Sequence, residues 1–453
     1  MKKEENMKYD LSDAQVEKAK KLWEDRCEKV KKLREFKPTI LDLSLREASV
    51  ATPTGPTRQD KIRLLELIHE MGFKNEDLLI GTLDYGLPDC NEPDDDFCKY
   101  LKDNNLHPPP HSFVFTWVGS VSNGNWQVPK SLEKMKDIGI PNTIMDVDIS
   151  KESLKIIDPP QTRKNVLFAL EKAIEWWRKH FPPKDEDGNL APRIYINFRD
   201  CPDAYAEDHE WMMHVAKVVT EKHQVDGVAF EDPRGTFFHY DIYTITAMIR
   251  TVIPRETKLL VHLHSGNGTQ NAGMLEAFLA GADGFWAGLP KEAATIGHVS
   301  GAEILANLVR VDNQNMKKYK MNRLMPITRE MTQINMLRSI PDDYPIIGNH
   351  AYTSMLSVFD QKAGREMDLP PENIGTIYTH RIAALSSDEP VIKGRLAEIG
   401  ISDCTTEVAT KMRCLMRKDL QQGIKVEYNE EPFLRDLYDR AKREIAGENQ
   451  SSS

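Results

Sequence analysis

At 453 residues with 40% hydrophobic side chains, the chain is long enough for one large domain of about 250 residues plus smaller appendages. Seventy acidic residues against 60 basic ones give a net charge of −10, which argues against a nucleic-acid binder but leaves room for a local basic pocket. No apolar run is long enough to span a membrane, no signal-peptide core opens the chain, and the six cysteines lack CxxC spacing; a cytoplasmic protein with reduced thiols is expected.

Residues 1–38 read as a charged N-terminal extension with a helix near Asp13–Phe36, its lysine-rich side solvated. From Pro38 to about Asn313, short apolar runs alternate with amphipathic windows. The runs predict strands at Thr39–Leu45, Leu78–Thr82, Ser112–Val118, Thr143–Asp148, Arg193–Asn197, Gly227–Glu231, Lys258–His264 and Gly284–Gly288. The windows predict helices at Arg58–Met71, Ser131–Ile138, Arg163–His180, Tyr205–Lys222, Tyr240–Val252, Gln270–Ala280 and Ala302–Val311. Eight strands alternating with helices predict an α/β fold, a (β/α)8 TIM barrel over residues 39–320. A doubly wound sheet is the other α/β solution, but no glycine-rich dinucleotide loop follows the first strand. Residues 321–400 read as a linker and first subdomain, irregular over Met325–Asp360 and Pro370–Gly400. Residues 401–453 read as a helical second subdomain, with helices at Thr405–Gln421 and Val426–Ala446 and a disordered tail from Glu448.

The barrel concentrates attention on strand C-termini, where catalytic groups of this architecture sit. His262-Leu-His264 ends the seventh strand, and alternation puts both imidazoles on one face, a spacing that suits a divalent metal if a carboxylate joins them. Arg46-Glu47 ends the first strand, and Gly297-His298 follows the eighth. Closure makes strands seven, eight and one a contiguous sector, so Glu47, His262 and His264 are the expected ligands, with His298 a possible fourth. For Glu47 the competing reading is a rim carboxylate paired with an arginine; for His298 it is a loop or helix-capping histidine. Glu231-Asp232-Pro-Arg234-Gly235, ending the sixth strand, reads either as a substrate contact through Arg234 or as a rim salt-bridge cluster.

These segments resemble the metal-dependent lyase and synthase barrels that include homocitrate synthase, isopropylmalate synthase and hydroxymethylglutaryl-CoA lyase. Asp42-Leu-Ser-Leu-Arg46-Glu47-Ala48 is similar to the family's D-[ST]-T-L-R-[DE]-G, and Val261-His262-Leu-His264-Ser-Gly-Asn-Gly268 to its HxHND-x-G. Pro345-Ile-Ile-Gly348-Asn349-His350-Ala351-Tyr352, then Tyr378-Thr-His380-Arg381 and Arg395–Gly400, resemble the extension that the synthases carry and the lyases generally lack. The sequence departs from the family at Ser49-Val50, at Ser265-Gly266, and at Thr353–Val358, where synthases have a histidine-bearing segment.

The resemblance implies a homodimeric acyltransferase that condenses an acyl-CoA with a 2-oxo acid on Mg²⁺, Mn²⁺ or Zn²⁺. A carbon–carbon lyase or a non-catalytic homologue is the alternative. Arg46 would stabilise the enolate or alkoxide oxygen, unless it serves only a structural ion pair with Asp42 or Glu231. His350, Tyr352 and His380 are the acid–base candidates.

Overall fold

The computed structural model describes residues 11–52, 54–83, 92–183, 191–292 and 296–451. Cys90 and the tail residues Ser452 and Ser453 lie outside them. The described residues form two compact units, one of those up to residue 320 together with 330–337, the other of 321–329 together with those from 338 onward.

The first unit is built on eight parallel strands that close into a barrel. They are numbered β1 (Thr39–Asp42), β2 (Asp77–Thr82), β3 (Ser112–Trp117), β4 (Asn142–Val147), β5 (Ile194–Phe198), β6 (Gly227–Asp232), β7 (Lys258–Leu263) and β8 (Gly284–Trp286). The (β/α)8 barrel expected from the sequence is the fold observed. Thr39, Ile40 and Leu41 close the ring against Gly284, Phe285 and Trp286. A Cβ at residue 284 would sit 1.8 Å from the Thr39 carbonyl oxygen, so this seam requires glycine.

Alternation along the strands explains how the barrel is filled. Leu41, Leu79, Phe113, Ile144, Tyr195, Ala229, Leu260 and Trp286 belong to one buried apolar cluster drawn from all eight strands. Two positions further along β4, β5, β6 and β7, the same face carries Asp146, Asn197, Glu231 and His262. The change from apolar to polar at the strand C-termini is what places chemistry at the barrel mouth.

Helices Arg58–Met71, Arg163–His180 and Gln270–Ala280 have the bounds that their periodicity predicts. The N-terminal helix, Asp13–Glu35, starts at a Ser12 capping box and has no buried residue; after it, Phe36 stacks on Phe278 at 4.3 Å between ring centroids. Two differences matter. β1 ends at Asp42, three residues early, because the Asp42 carboxylate accepts hydrogen bonds from Ser44 N at 2.9 Å and Ser44 Oγ at 3.1 Å. That turn starts a helix at Ser44–Ala51, which carries Arg46 and Glu47. Further on, the stretch expected to be irregular from Met325 opens with a helix, Leu324–Met336, whose Leu324, Ile327 and Met331 are buried at helical spacing; Pro326 sits in its first turn, where proline is tolerated.

The second unit packs three helices, Glu389–Glu398, Thr406–Gln421 and Glu431–Ser451, around Ile392, Leu396, Met412, Met416, Leu434 and Leu437. The last helix runs to Ser451, through most of the tail expected to be disordered. A short parallel pair, Thr353–Ser354 with Thr379–His380, completes this unit.

Candidate metal centre at the barrel mouth

His262 on β7 and His264, the residue just past its end, stand with rings perpendicular and centroids 4.9 Å apart. His262 Nδ1 lies 2.7 Å from the Trp286 carbonyl oxygen. A carbonyl only accepts, so Nδ1 carries the proton and Nε2 presents its lone pair to the mouth. His262 Nε2 is 3.1 Å from His264 Nε2, which is 3.2 Å from Glu231 Oε1. Among the described residues, Glu231, His262 and His264 are the group of three whose donor atoms all lie within 4.8 Å of one another.

The protonation states match what a cation needs. Burial, reinforced by His264 and His298 and only partly opposed by Glu231, holds His262 well below the usual imidazole range, so it stays neutral. Burial by itself would raise Glu231. The hydrogen bond with His264, helped by the nearby Arg46 charge, outweighs it and holds the carboxyl at about 2. Two imidazoles and one carboxylate stand together, a donor set that fits a divalent ion such as Zn²⁺ or Mn²⁺.

Glu47, expected as the carboxylate ligand, is not in this group. It stands on the helix after β1 instead of at a strand end, and its Oε1 is bound by Arg46 NH1. Arg46 is further fixed by Nε donating to Thr82 Oγ1 at 3.0 Å and by its position over the Phe115 ring at 5.0 Å. Asp42 accepts hydrogen bonds from Ser44. His298 lies beside the pair, its ring 5.0 Å from that of His262 and 6.1 Å from that of His264. It is brought there by antiparallel bridging of residues 297–299 to the end of β7, through Ser265 N to Gly297 O at 3.0 Å and Val299 N to Leu263 O at 2.9 Å. Burial lowers His298 to about 4, with Glu47 opposing the shift. Its buried Nε2 and the Nδ1 of His264 have no hydrogen-bond partner among the described residues.

The site has residues that the sequence reading passed over. From the sequence, Glu231 reads as part of a rim cluster or as an ion-pair partner of Arg46, and Asp146 and Asn197 carry no reading. Asn197 Nδ2 donates to Asp146 Oδ1 at 2.6 Å and to Glu231 Oε2 at 3.1 Å. Burial, then the Glu231 charge, raises Asp146 well above the usual carboxylate range, against Arg199 and Asn197. The signal in the sequence is a polar residue two positions after an inward apolar one at the ends of β4, β5, β6 and β7.

A cavity of about 520 Å³ opens onto these groups, walled by Arg46, Phe115, Trp117, Asp146, Arg199 and Glu231 among others, with His264 on its lining. Its arginines are largely committed: Arg199 to Asp148, with its guanidinium over Trp117 at 4.8 Å, and Arg234 to Asp203 at 2.6 Å. Arg234 thus sits in a rim salt bridge.

His350, Tyr352 and His380 belong to the second unit. His350 is exposed and stands 3.8 Å from Asp342; Tyr352 is buried with its ring 6.3 Å from that of Tyr378; His380 Nδ1 is 2.9 Å from Glu398 Oε1.

No family profile matches the chain. The fold is a (β/α)8 barrel, and solved hydroxymethylglutaryl-CoA lyases share it. The lyase of Bacillus subtilis superposes with a TM-score of 0.51 at 16% identity, covering 68% of this chain and 96% of that one. That of Pseudomonas aeruginosa gives 0.51 at 16%, covering 66% and 93%. In sequence, the chain is similar to an (R)-citramalate synthase of Sulfolobus acidocaldarius, 21% identical over 329 residues. That match takes in 70% of this chain and spans 57% of the relative's length. The resemblance to the lyase and synthase barrels read from the sequence holds. No helix among the described residues is long and apolar enough to cross a membrane.

Proposed function

We propose that the protein is a metal-dependent acyltransferase that joins the α-carbon of an acyl-CoA to the ketone carbon of a 2-oxo acid and, after hydrolysis of the thioester, releases CoA and a 2-hydroxy diacid. The observation that carries this reading is the convergence of Glu231, His262 and His264 on one point at the mouth, beside a cavity of about 520 Å³. Those three side chains would hold the cation, with His298 next to them. When bound, the ion supplies Lewis acidity toward the carbonyl oxygen of the 2-oxo acid.

The other residues act on the same reactants. Arg46, fixed by Thr82, Glu47 and the Phe115 ring, presents positive charge where an enolate or alkoxide oxygen develops. Phe115 and Trp117 exclude water from one wall of the cavity. His350, Tyr352 and His380 are the candidates for removing a proton from the acyl α-carbon. The similarity to a citramalate synthase supports condensation. A homodimer in the cytoplasm is part of the proposal.

A carbon–carbon lyase is the second reading, favoured by Thr353–Val358 standing where the synthases carry a histidine. Incubation with acetyl-CoA, Mn²⁺ and pyruvate, glyoxylate or 2-oxoglutarate, with free thiol as readout, tests the first. Thiol release that depends on the 2-oxo acid supports condensation. Release of pyruvate or glyoxylate from 2-hydroxy or 4-hydroxy-2-oxo acids, without thiol release, assigns the lyase. Neither activity in metal-loaded protein leaves a non-catalytic homologue.

A further inference from the structure

The lyase and synthase resemblance draws the acidic ligand from the segment after the first strand. The structure offers it from β6 instead, and the residues behind it show how it is held. We propose that Asn197 and Asp146 are positioning residues that aim Glu231 at the cation, so that β4, β5 and β6 together replace Glu47 as the source of the acidic ligand. This rests on the reading that the mouth binds a divalent ion.

Glu231 is a flexible side chain, and a ligand free to rotate loses rotamer entropy when it binds a metal. Here its Oε2 is fixed by Asn197 Nδ2 at 3.1 Å, which leaves Oε1 turned toward His264 Nε2 at 3.2 Å. Asn197 has no solvent exposure, and its amide orientation is set in turn: the same nitrogen donates to Asp146 Oδ1 at 2.6 Å. With both amide hydrogens directed at carboxylate oxygens, the amide cannot flip without placing its own oxygen against them. Asp146 is available for this task because Arg199 beside it is engaged by Asp148. All three side chains project inward from adjacent strands one layer above Ile144, Tyr195 and Ala229, so the backbone registers that close the barrel also set their spacing. Glu47 is held out of the set by Arg46.

Hydrogen-bond partners of metal ligands typically change affinity by about 10–100-fold when removed. The test is a double-mutant cycle on Co²⁺ affinity, measured by chelator competition and by the visible spectrum of the bound ion. Asn197→Ala is expected to weaken Co²⁺ binding by about 10–100-fold and to shift the spectrum toward that of Glu231→Gln. In the Glu231→Gln background the same change should have no further effect, because the residue it positions is no longer a ligand. Asp146→Ala should act in the same direction, and Asp146→Asn, whose amide oxygen still accepts from Asn197, should stay near wild type. Equal loss in both backgrounds, or no loss in either, overturns the proposal while leaving metal binding intact. Wild-type protein that takes up no Co²⁺ overturns the metal reading itself, and this inference with it.

Discussion

His262 gives its Nδ1 hydrogen to the carbonyl oxygen of Trp286 at 2.7 Å, and this bond decides which nitrogen faces the barrel mouth. It also links the β7 ligand to the end of β8, so the ring is oriented by backbone instead of by a mobile side chain.

One consequence is a preference among metals. Two imidazole nitrogens and one carboxylate oxygen form a set that follows the usual order of divalent affinities, whereas Mg²⁺ favours oxygen donors and retains its waters. Calorimetric titration of metal-free protein should therefore give Zn²⁺ the tightest binding, Mn²⁺ weaker, and Mg²⁺ the weakest. Mg²⁺ binding tighter than Mn²⁺ would point to an oxygen-only site elsewhere.

Arg46 has a role beyond its ion pair with Glu47 if it stabilises developing negative charge. Arg46→Ala should then lower the rate of whichever carbon–carbon reaction the protein catalyses by about 10²–10³-fold. Glu47→Gln, which removes the ion-pair partner alone, should cost much less. Equal losses from the two substitutions would make Arg46 a structural residue.

Behind that arginine is a buried ion pair. Lys61 Nζ, almost fully enclosed, contacts Asp94, which also accepts from Thr82 N at 2.8 Å and Ser49 Oγ at 2.5 Å. Removing the lysine leaves the carboxylate buried without a cation, so Lys61→Met should destabilise the fold by about 3–5 kcal/mol in urea denaturation. The double variant Lys61→Met, Asp94→Leu should recover much of that loss. No change in the single variant would show that water reaches Asp94.

Asp42 makes stability depend on pH. Burial raises its carboxyl from the usual range to about 7, against the hydrogen bonds from Ser44 and Leu289. The folded protein therefore holds this proton more tightly than the unfolded chain does. Its contribution is fully present below about pH 4 and is lost as pH rises toward 7. Denaturation of wild type and Asp42→Asn at pH 4.5 and 8 should show the asparagine variant gaining on wild type at the higher pH, by on the order of 2–4 kcal/mol. A pH-independent difference would place the Asp42 carboxyl in the ordinary range.

Strand positions were legible because each run of apolar residues is bounded by turn or helix signals, and the ring order follows from strict alternation. Arg163–His180 could be read to its ends because no glycine or proline interrupts it, and Gln270–Ala280, despite Gly273 inside it, because Gly281 closes it. The end of β1 could not be read the same way. It depends on the Asp42 side chain bonding Ser44, and nothing in the run Thr39–Leu45 distinguishes an aspartate that ends a strand from one that continues it. That local turn is why Glu47 lies on a helix. The register of β6 against β7 puts Glu231 opposite His262, two residues before His264 on the same face, which spacing along the chain does not reveal. The layer itself was visible as Ile144-x-Asp146, Tyr195-x-Asn197 and Ala229-x-Glu231, had inward positions been counted strand by strand.

The central claim is that one cation is shared by Glu231, His262 and His264. Its most direct test is Zn²⁺ stoichiometry and affinity for the metal-free wild type, Glu231→Gln, Glu47→Gln and His264→Ala, measured side by side. The account expects one equivalent bound by the wild type and by Glu47→Gln, with binding severely weakened in the other two. Binding lost on changing Glu47 but kept on changing Glu231 would contradict it.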